Sequence, residues 1–342
     1  MRSTLAAFIE RFDPGEGRPL VACSGGADSL ALLALTVVTC DHPDRAVAVF
    51  VDHGLRPTSR ADGEFVVSWA QAQGISAEIV DARVEAGPNV EERARDARRT
   101  ALLEEADRQG AAAVLLGHTM DDQAETVLLH ILRGGALAGL AGMPERDGRI
   151  VRPLLRFRRA ETAEICRLVG VDPRHDTMND DRSYRRVWVR HEALPNLSAG
   201  VERDLVPVLA RQAEIARDDL AYLDAAADEI VHAARREDGN LDAATVCHAP
   251  RALARRALRR WIGPPAPDAA RLEDALDVAR GAIVAVQIGG GREVRRSGGR
   301  LRLHRIISEE PTEGVTAAPR LPWRSHDATR REPAGSGVAA QP

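Results

Sequence analysis

A six-residue run near the N-terminus has the residue types and spacing of a phosphate-binding loop. It follows the apolar residues Leu20 to Cys23 and precedes the apolar stretch from Leu30 to Leu35. A strand that turns through small residues into a helix directs backbone N–H groups and the helix dipole at one place, and glycines allow a ligand to approach closely. The pattern favours phosphate binding over an ordinary βα turn, and it lacks the Gly-Lys-Ser/Thr of a Walker A motif. The run is Ser24, Gly25, Gly26, Ala27, Asp28 and Ser29.

The polar side chains of this loop indicate how a polyphosphate would be held. The hydroxyls of Ser24 and Ser29 can donate to phosphate oxygens. Asp28 would repel phosphate unless a cation lies between them, so the loop predicts Mg²⁺ near Asp28. The alternative is that Asp28 caps the helix that follows, and the two roles are compatible.

A second polar segment follows a small apolar strand predicted over residues 111–117. Thr119 and Asp122 have the spacing of a helix N-terminal capping pair. Asp121, Asp122 and Glu125 would lie within about 100° of one another on the first helical turn. Three clustered carboxylates favour a site for a metal or an amine, with Asp122 the second metal ligand beside Asp28. The helix dipole alone could account for one or two of them.

Two dipeptides at predicted strand ends complete the candidate nucleotide contacts. Asp52-His53 follows the strand predicted over residues 47–51, and Gly117-His118 precedes Thr119. Asp52 and His53 could contact adenosine or a reacting base, or Asp52 could cap the helix that follows the loop; the two interpretations are equally favoured.

These motifs must be positioned by the elements between them. Strands alternate with helices through the first half of the chain, which predicts a parallel sheet with helices on both faces. Ligands in such folds bind beyond the carboxyl ends of the strands, where all four motifs lie. We predict a first domain over residues 1–195 and a second over residues 196–308, with a break in secondary structure near Pro195. The second domain is expected to be smaller and mainly helical, with a short β-meander. Residues 309–342 are expected to form a disordered tail.

Composition restricts the class of protein. The chain has 342 residues, 44% of them hydrophobic, and no apolar run approaches the length of a membrane span. The first twenty residues carry charges that a signal peptide would lack. Four separated cysteines argue against a disulfide framework or a zinc site and fit a reducing cytoplasm.

Arginine-rich segments interrupt an otherwise acidic chain. The net charge of −4 hides +8 over residues 251–305, and all 47 basic residues are arginine, which excludes a catalytic lysine. Such segments favour a polyanionic partner such as RNA, although high-GC coding also enriches arginine. The candidate RNA contacts are Arg186, Arg190, Arg251, Arg255 and Arg259.

Taken together and in this order, the motifs resemble the tRNA(Ile)-lysidine synthetases of the PP-loop ATP pyrophosphatase superfamily. The resemblance rests on Ser24 to Ser29, Val51 to Arg56, Gly117 to Thr126, Arg133 to Met143 and Arg152 to Leu155. It implies an adenine nucleotide α-hydrolase-like fold, ATP with Mg²⁺, and ligation of L-lysine to the wobble cytidine of a CAU-anticodon tRNA(Ile), with Arg133 as a further tRNA contact. One position departs from the family, because Val187 stands where an asparagine is usual.

Other functions remain open on the residues alone. A cytidine 2-thiolase would need clustered cysteines, and a small-molecule adenylating ligase leaves the arginine-rich segments unexplained. A non-enzymatic RNA-binding module would not need the loop and the carboxylates. The sequence leaves the oligomeric state open, a homodimer included.

Overall fold

Strands rich in valine, leucine and alanine alternate with helices from residue 19 onward, as the sequence predicts. The computed structural model describes residue 8 and residues 17–39, 46–54, 58–84, 90–174 and 185–306; the predicted tail at 309–342 lies outside them. Contacts divide the chain into two compact units, Met1–His232 and Ala233–Pro342. This division falls within the last turn of the long helix Leu205–Ala234, later than the predicted boundary at 195/196, and the roles assigned to the predicted domains stay a prediction.

The first unit contains a six-stranded sheet in the order β3-β2-β1-β4-β6-β5. All neighbouring pairs are parallel except β5, which pairs antiparallel with β6. Because β1 lies between β2 and β4, their carboxyl ends meet at one edge, where the sequence motifs follow. The strands are β1 Pro19–Ala22, β2 Val47–Asp52, β3 Ser76–Asp81, β4 Ala113–Leu116, β5 Arg146–Asp147 and β6 Ile150–Val151.

Helices cover both faces of this sheet, which confirms the predicted fold class. One face packs on a core that includes Leu32, Phe50 and Leu154, and the other on a core that includes Leu102 and Val114. The helices are α1 Ala27–Thr39, α2 Ser59–Ala72, α3 Val90–Arg108, α4 Met120–Leu132, α5 Leu137–Leu140, α6 Arg159–Leu168, α7 Arg185–Trp188, α8 Leu194–Gly200 and α9 Leu205–Ala234.

The break expected near Pro195 is wrong, because the chain stays helical there. A π-helical turn at Val189–Ala193 leads directly into α8, and Pro195 lies in the first turn of α8, immediately after the π turn. Val189 and Leu194 pack with Ala124 and Leu128 of α4. This packing fixes the π turn against α4, and it thereby positions Arg190.

The second unit joins a small antiparallel sheet to helices, and the predicted meander is confirmed. Its strand order is β7-β10-β9-β8, and Ile288, Val294 and Leu301 are buried. No helix among the described residues combines the length and apolarity needed to cross a membrane. The elements are β7 Leu241–Asp242, α10 Ala243–His248, α11 Arg251–Ile262, α12 Ala269–Arg280, β8 Ala285–Gly289, β9 Arg292–Ser297 and β10 Arg300–Arg305.

Candidate active site

Hydrogen bonds of two serines hold the loop between β1 and α1. The Ser29 hydroxyl accepts from the Ser24 backbone N–H at 3.1 Å and donates to the Gly26 carbonyl at 2.9 Å. Gly25 has a φ of +82°, a conformation that favours glycine. The second hydroxyl, that of Ser24, lies 3.3 Å from that of Ser29. The loop therefore has a fixed shape before any phosphate is present.

Gly117 brings the end of β4 against this loop. A Cβ atom at Gly117 would lie 2.9 Å from the Asp28 carbonyl oxygen, so only glycine permits the approach. The sequence assigns Gly117 to nucleotide contact, and the structure gives it a packing role as well.

Asp28 faces α6 from the first turn of α1. Its carboxylate accepts a hydrogen bond from the Thr162 hydroxyl and lies 3.6 Å from the Arg159 guanidinium. Burial raises the pKa of Asp28 and the charge of Asp122 adds to this, while the Thr162 hydrogen bond opposes both. The side chain points at other parts of the site, as a functional carboxylate would, rather than capping its own helix.

The capping pair predicted at the start of α4 is confirmed. Thr119 is the N-cap, and Asp122 Oδ2 accepts from the Thr119 N–H at 2.8 Å and from its hydroxyl at 2.9 Å. Asp121 faces differently, since it accepts from the Arg159 N–H at 2.8 Å and from the Arg158 guanidinium at 3.2 Å. The three clustered carboxylates therefore separate into a pair, Asp122 and Glu125, and a single Asp121.

Three arginines surround the Asp122–Glu125 pair. Arg159, Arg186 and Arg190 lie 3.1, 3.0 and 3.6 Å from Asp122 Oδ1, and 3.2, 2.9 and 2.8 Å from Glu125 oxygens. Glu125 is 1% exposed. We call these five residues the arginine–carboxylate cluster.

The cluster determines the ionisation of its members. Burial alone would raise the pKa of Asp122, but Arg186 and Arg159 hold it well below its usual range. The pKa of Arg186 is raised because the charges of Asp122 and Glu125 outweigh its burial. Every carboxylate in the cluster thus has a cation against it, which is how buried charges are tolerated.

Two histidines lie at the carboxyl ends of β2 and β4. His53 Nε2 accepts from Arg98 at 3.1 Å, and burial lowers its pKa. Burial lowers the pKa of His118 to about 3. Within the described residues, the Nδ1 atoms of both are buried with no hydrogen-bond partner. Neutral imidazoles with an unused nitrogen are suited to a polar ligand such as a base.

Asp52 has a structural role at the end of β2. Its carboxylate accepts from the Gly54 N–H at 2.9 Å, and hydrogen bonds from Ser59 and Gly54 lower its pKa against the effect of burial. This hydrogen bond closes the turn after β2, whereas the N-cap of the following helix α2 is Thr58, so Asp52 is not the helix cap that the sequence offered as one interpretation.

The remaining predicted RNA contacts are dispersed. Arg133 is exposed at the end of α4. Arg251 and Arg255 both pair with Glu273, at 2.8 and 2.9 Å, and Arg259 is exposed on α11. Arg186 and Arg190 instead contact the carboxylates of the cluster.

Arg159 was not among the residues predicted from the sequence, although it contacts Asp28, Asp122 and Glu125. No local motif marks it, because its partners lie 34 or more positions away in the chain. The metal prediction also rests on few ligands: no group of three or more His, Cys, Asp or Glu side chains suited to a metal occurs in the described part of the chain.

A phosphate loop at the edge of a parallel sheet is characteristic of PP-loop proteins. The family model of the PP-loop domain matches residues 1–197 of this chain. Two tRNA(Ile)-lysidine synthases are similar over most of their length. That of Salinispora tropica is 41% identical over 87% of this chain and 93% of its own; that of Nocardia farcinica is 39% identical over 89% and 98%. The chain belongs to the tRNA(Ile)-lysidine synthase family.

A solved structure supports the fold independently. The U34-tRNA thiolase NcsA from Methanococcus maripaludis, solved with its [4Fe-4S] cluster, superposes with a TM-score of 0.51 at 17% identity. The match covers 62% of this chain and 77% of that chain, and it concerns the fold alone.

Proposed function

We propose that this protein ligates L-lysine to C2 of the wobble cytidine, position 34, of a tRNA(Ile) with a CAU anticodon. ATP first adenylates the cytidine at its C2 oxygen and releases pyrophosphate; the lysine ε-amine then attacks C2 and releases AMP. The observation that carries this proposal is the juxtaposition, through Arg159, of the phosphate loop at Asp28 with the carboxylates of Asp122 and Glu125. Adenylation and amine attack need these two kinds of site side by side.

We assign the triphosphate of ATP to the loop from Ser24 to Ser29. Its N–H groups would stabilise the negative charge that develops on the departing pyrophosphate. His53 and His118, with their unused Nδ1 atoms, are proposed contacts for the adenosine or for the cytosine, and Asp52 and Gly117 shape the strand ends that hold them.

The donor set near the loop fits Mg²⁺. Asp28 offers a carboxylate, and Asp122 contacts the same guanidinium, that of Arg159. Magnesium in nucleotide sites takes one or two carboxylates together with phosphate oxygens and water, so a three-carboxylate cage is not required. When bound, the ion would neutralise charge on the phosphates.

The cluster carboxylates would orient the amine. An ammonium group must lose its proton before it can attack. Asp122 has a lowered pKa, which suits it to hold the ammonium rather than to accept its proton. We assign Asp121, Asp122 and Glu125 jointly to amine positioning.

We assign tRNA contact to exposed arginines, namely Arg133, Arg251, Arg255 and Arg259. Arg186 and Arg190 would contact the tRNA only from their places beside the carboxylates.

One assay tests the proposed reaction. The protein is incubated with ATP, labelled lysine and an unmodified CAU-anticodon tRNA(Ile) transcript; a transcript with uridine at position 34 is the control. We expect label in the first transcript only, with one AMP and one pyrophosphate released per lysine. Turnover with a sulfur donor in place of lysine, or adenylation of a free acid, would overturn the proposal.

A substitution of the phosphate loop separates chemistry from binding. Asp28→Ala should abolish pyrophosphate release while the affinity for tRNA stays within about twofold, because Asp28 faces Thr162 and Arg159 rather than an exposed basic surface. An equal loss of tRNA affinity would show that Asp28 is structural.

A further inference from the structure

The helical segment that carries two arginines of the cluster also has a face that points away from them. Helix α7, the π turn and α8 follow one another without a break. The guanidiniums of Arg186 and Arg190 contact Glu125 from one side of this segment. Positions three apart share a helix face, and three such positions are exposed. We call them the outward face: Arg185, Trp188 and His191.

Trp188 places an indole ring in solvent. It is 40% exposed, although its neighbours Val187 and Val189 are buried. The other two tryptophans of the described ranges have partners, since Trp69 packs against the core and Trp261 donates its indole N–H to a backbone carbonyl at 3.1 Å. Burial of neighbouring residues therefore anchors the backbone at Trp188 while its ring stays available for contact.

The charges around this ring favour a polyanionic partner. Arg185 and His191 are exposed beside it, and the single acidic residue of the stretch 185–195 is Glu192, which is half-buried. An apolar partner surface would have to desolvate the Arg185 charge, which costs free energy. An aromatic ring next to cations is instead the combination that binds single-stranded RNA, in which the ring stacks on an unpaired base and the cations contact phosphates.

The outward face is also close enough to the site for one RNA strand to contact both. An α-helix with its side chains is about 10–12 Å across, so this face lies about one helix width from the carboxylates that Arg186 and Arg190 contact. A base that reacts in a protein site has to leave its stack. Its neighbours along the strand are then free to stack on an aromatic side chain.

We propose that Trp188 stacks on the base that precedes or follows the wobble cytidine, and that Arg185 contacts a phosphate of the same strand. This inference rests on the proposed function, because that function supplies the RNA and its reacting base. It makes Trp188 a positioning residue, which holds the strand while the cytidine occupies the site.

Three substitutions separate stacking from other roles of the side chain. The Kd of a labelled CAU-anticodon stem-loop for the full chain is measured by fluorescence anisotropy. We expect W188L, which keeps apolar bulk but no ring, to raise this Kd about fivefold or more, as the loss of one base–aromatic stack does. W188F keeps a ring and should stay within twofold. Y222A removes an exposed aromatic side chain of α9 and should change nothing; equal Kd values for W188L and W188F would overturn the proposal.

Changes in the RNA identify the stacked base. Two further stem-loops have an abasic residue directly before or directly after the wobble cytidine. We expect one of them to bind the unmodified protein about fivefold or more weakly, and to bind W188L with no loss beyond that of the substitution itself. Such coupling would not arise if Trp188 only supported the fold. Independent losses at both positions would exclude stacking by Trp188.

The phosphate contact has its own measurement. We expect R185Q to reduce the slope of log Kd against log salt concentration by about 0.7, the contribution of one phosphate contact on a single strand. R211Q, at an exposed position of α9, is the matched control and should keep the slope. An unchanged slope in R185Q would contradict the contact.

These binding measurements need neither ATP nor lysine, so their outcome is independent of the reaction. Stem-loop affinity that depends on Trp188 would support the stacking even if lysine is not ligated. Ligation of lysine by a W188L variant with unchanged stem-loop affinity would overturn the stacking alone. Sedimentation tests the other occupant: a dimer of the unmodified protein that is lost in W188L would assign the outward face to a second copy of the chain and overturn the proposal.

Discussion

The guanidinium of Arg159 lies 3.6 Å from the carboxylate of Asp28, and this contact joins the phosphate loop to the carboxylates of α4. Arg159 forms ion pairs on both sides of this contact, since it also contacts Asp122 and Glu125 of α4. Triphosphate binding next to three carboxylates requires such a counter-charge.

Removal of this charge should weaken ATP binding. We expect Arg159→Gln to raise the KM for ATP about tenfold or more, a loss typical of one charge-assisted contact. Initial rates of pyrophosphate release at varied ATP would measure it. Arg167→Gln, on the same helix but paired with the exposed Glu164, is the control; an unchanged KM in R159Q would contradict a role for Arg159 in ATP binding.

Glu125 should contribute strongly to stability. Glu125→Gln leaves three guanidiniums without one of their two shared carboxylates. Because the arginine side chains are only 22–30% exposed, we expect a loss of about 2–3 kcal/mol in the free energy of unfolding. Urea denaturation would measure it. The control Glu229→Gln, at an exposed position on α9, should change the free energy of unfolding by no more than about 0.5 kcal/mol. An equally small effect of E125Q would contradict a coupled cluster.

His118 should make stability depend on pH. Its pKa is lowered from 6.5 to about 3, so between these values the unfolded chain binds more protons than the native one, and stability falls as pH decreases. We expect the free energy of unfolding to lose about 1–2 kcal/mol from this residue between pH 7 and pH 5. Denaturation of His118→Gln at both values should show a smaller decrease than the unmodified protein; an identical decrease would exclude His118 as its source.

The turn after α5 depends on Gly142. It has a φ of +59°, and a Cβ there would lie 2.6 Å from Gln123 Oε1. The Gln123 amide is itself held by the Met143 N–H and carbonyl, each at 2.8 Å. Gly142→Ala therefore combines backbone strain with the loss of these bonds.

Gly148→Ala is the matched comparison, since it has the same φ of +59° and nothing within 4 Å of its Cβ position. We expect G142A to destabilise the protein by about 1–2 kcal/mol more than G148A, measured by urea denaturation. Equal losses would show that backbone conformation alone matters at these positions.

Local signals in the sequence predicted much of this molecule. The phosphate loop and the Thr119–Asp122 cap depend on neighbours within a few residues, so their types and spacing determine them. Helix α12 has signals of the same kind, an N-cap at Asp268 and a left-handed Gly281, yet it was not predicted from the sequence.

The cluster could not be predicted in the same way. Arg159, Arg186 and Arg190 reach Glu125 across 34, 61 and 65 positions, and an arginine-rich sequence gives no reason to choose these three. The prediction that Arg186 and Arg190 act on tRNA arose from their local composition, whereas their partners are determined by the π turn and its packing on α4.

Asp122 divides its two oxygens between two tasks. Oδ2 starts helix α4 by holding Thr119, and Oδ1 meets the arginines. A substitution at this position therefore affects the helix cap and the arginine contacts together, because no other side chain of this size offers two equivalent acceptors in place. Asparagine would keep the size of the side chain but replace one oxygen with a donor, so D122N would lose either the helix cap or the arginine contacts.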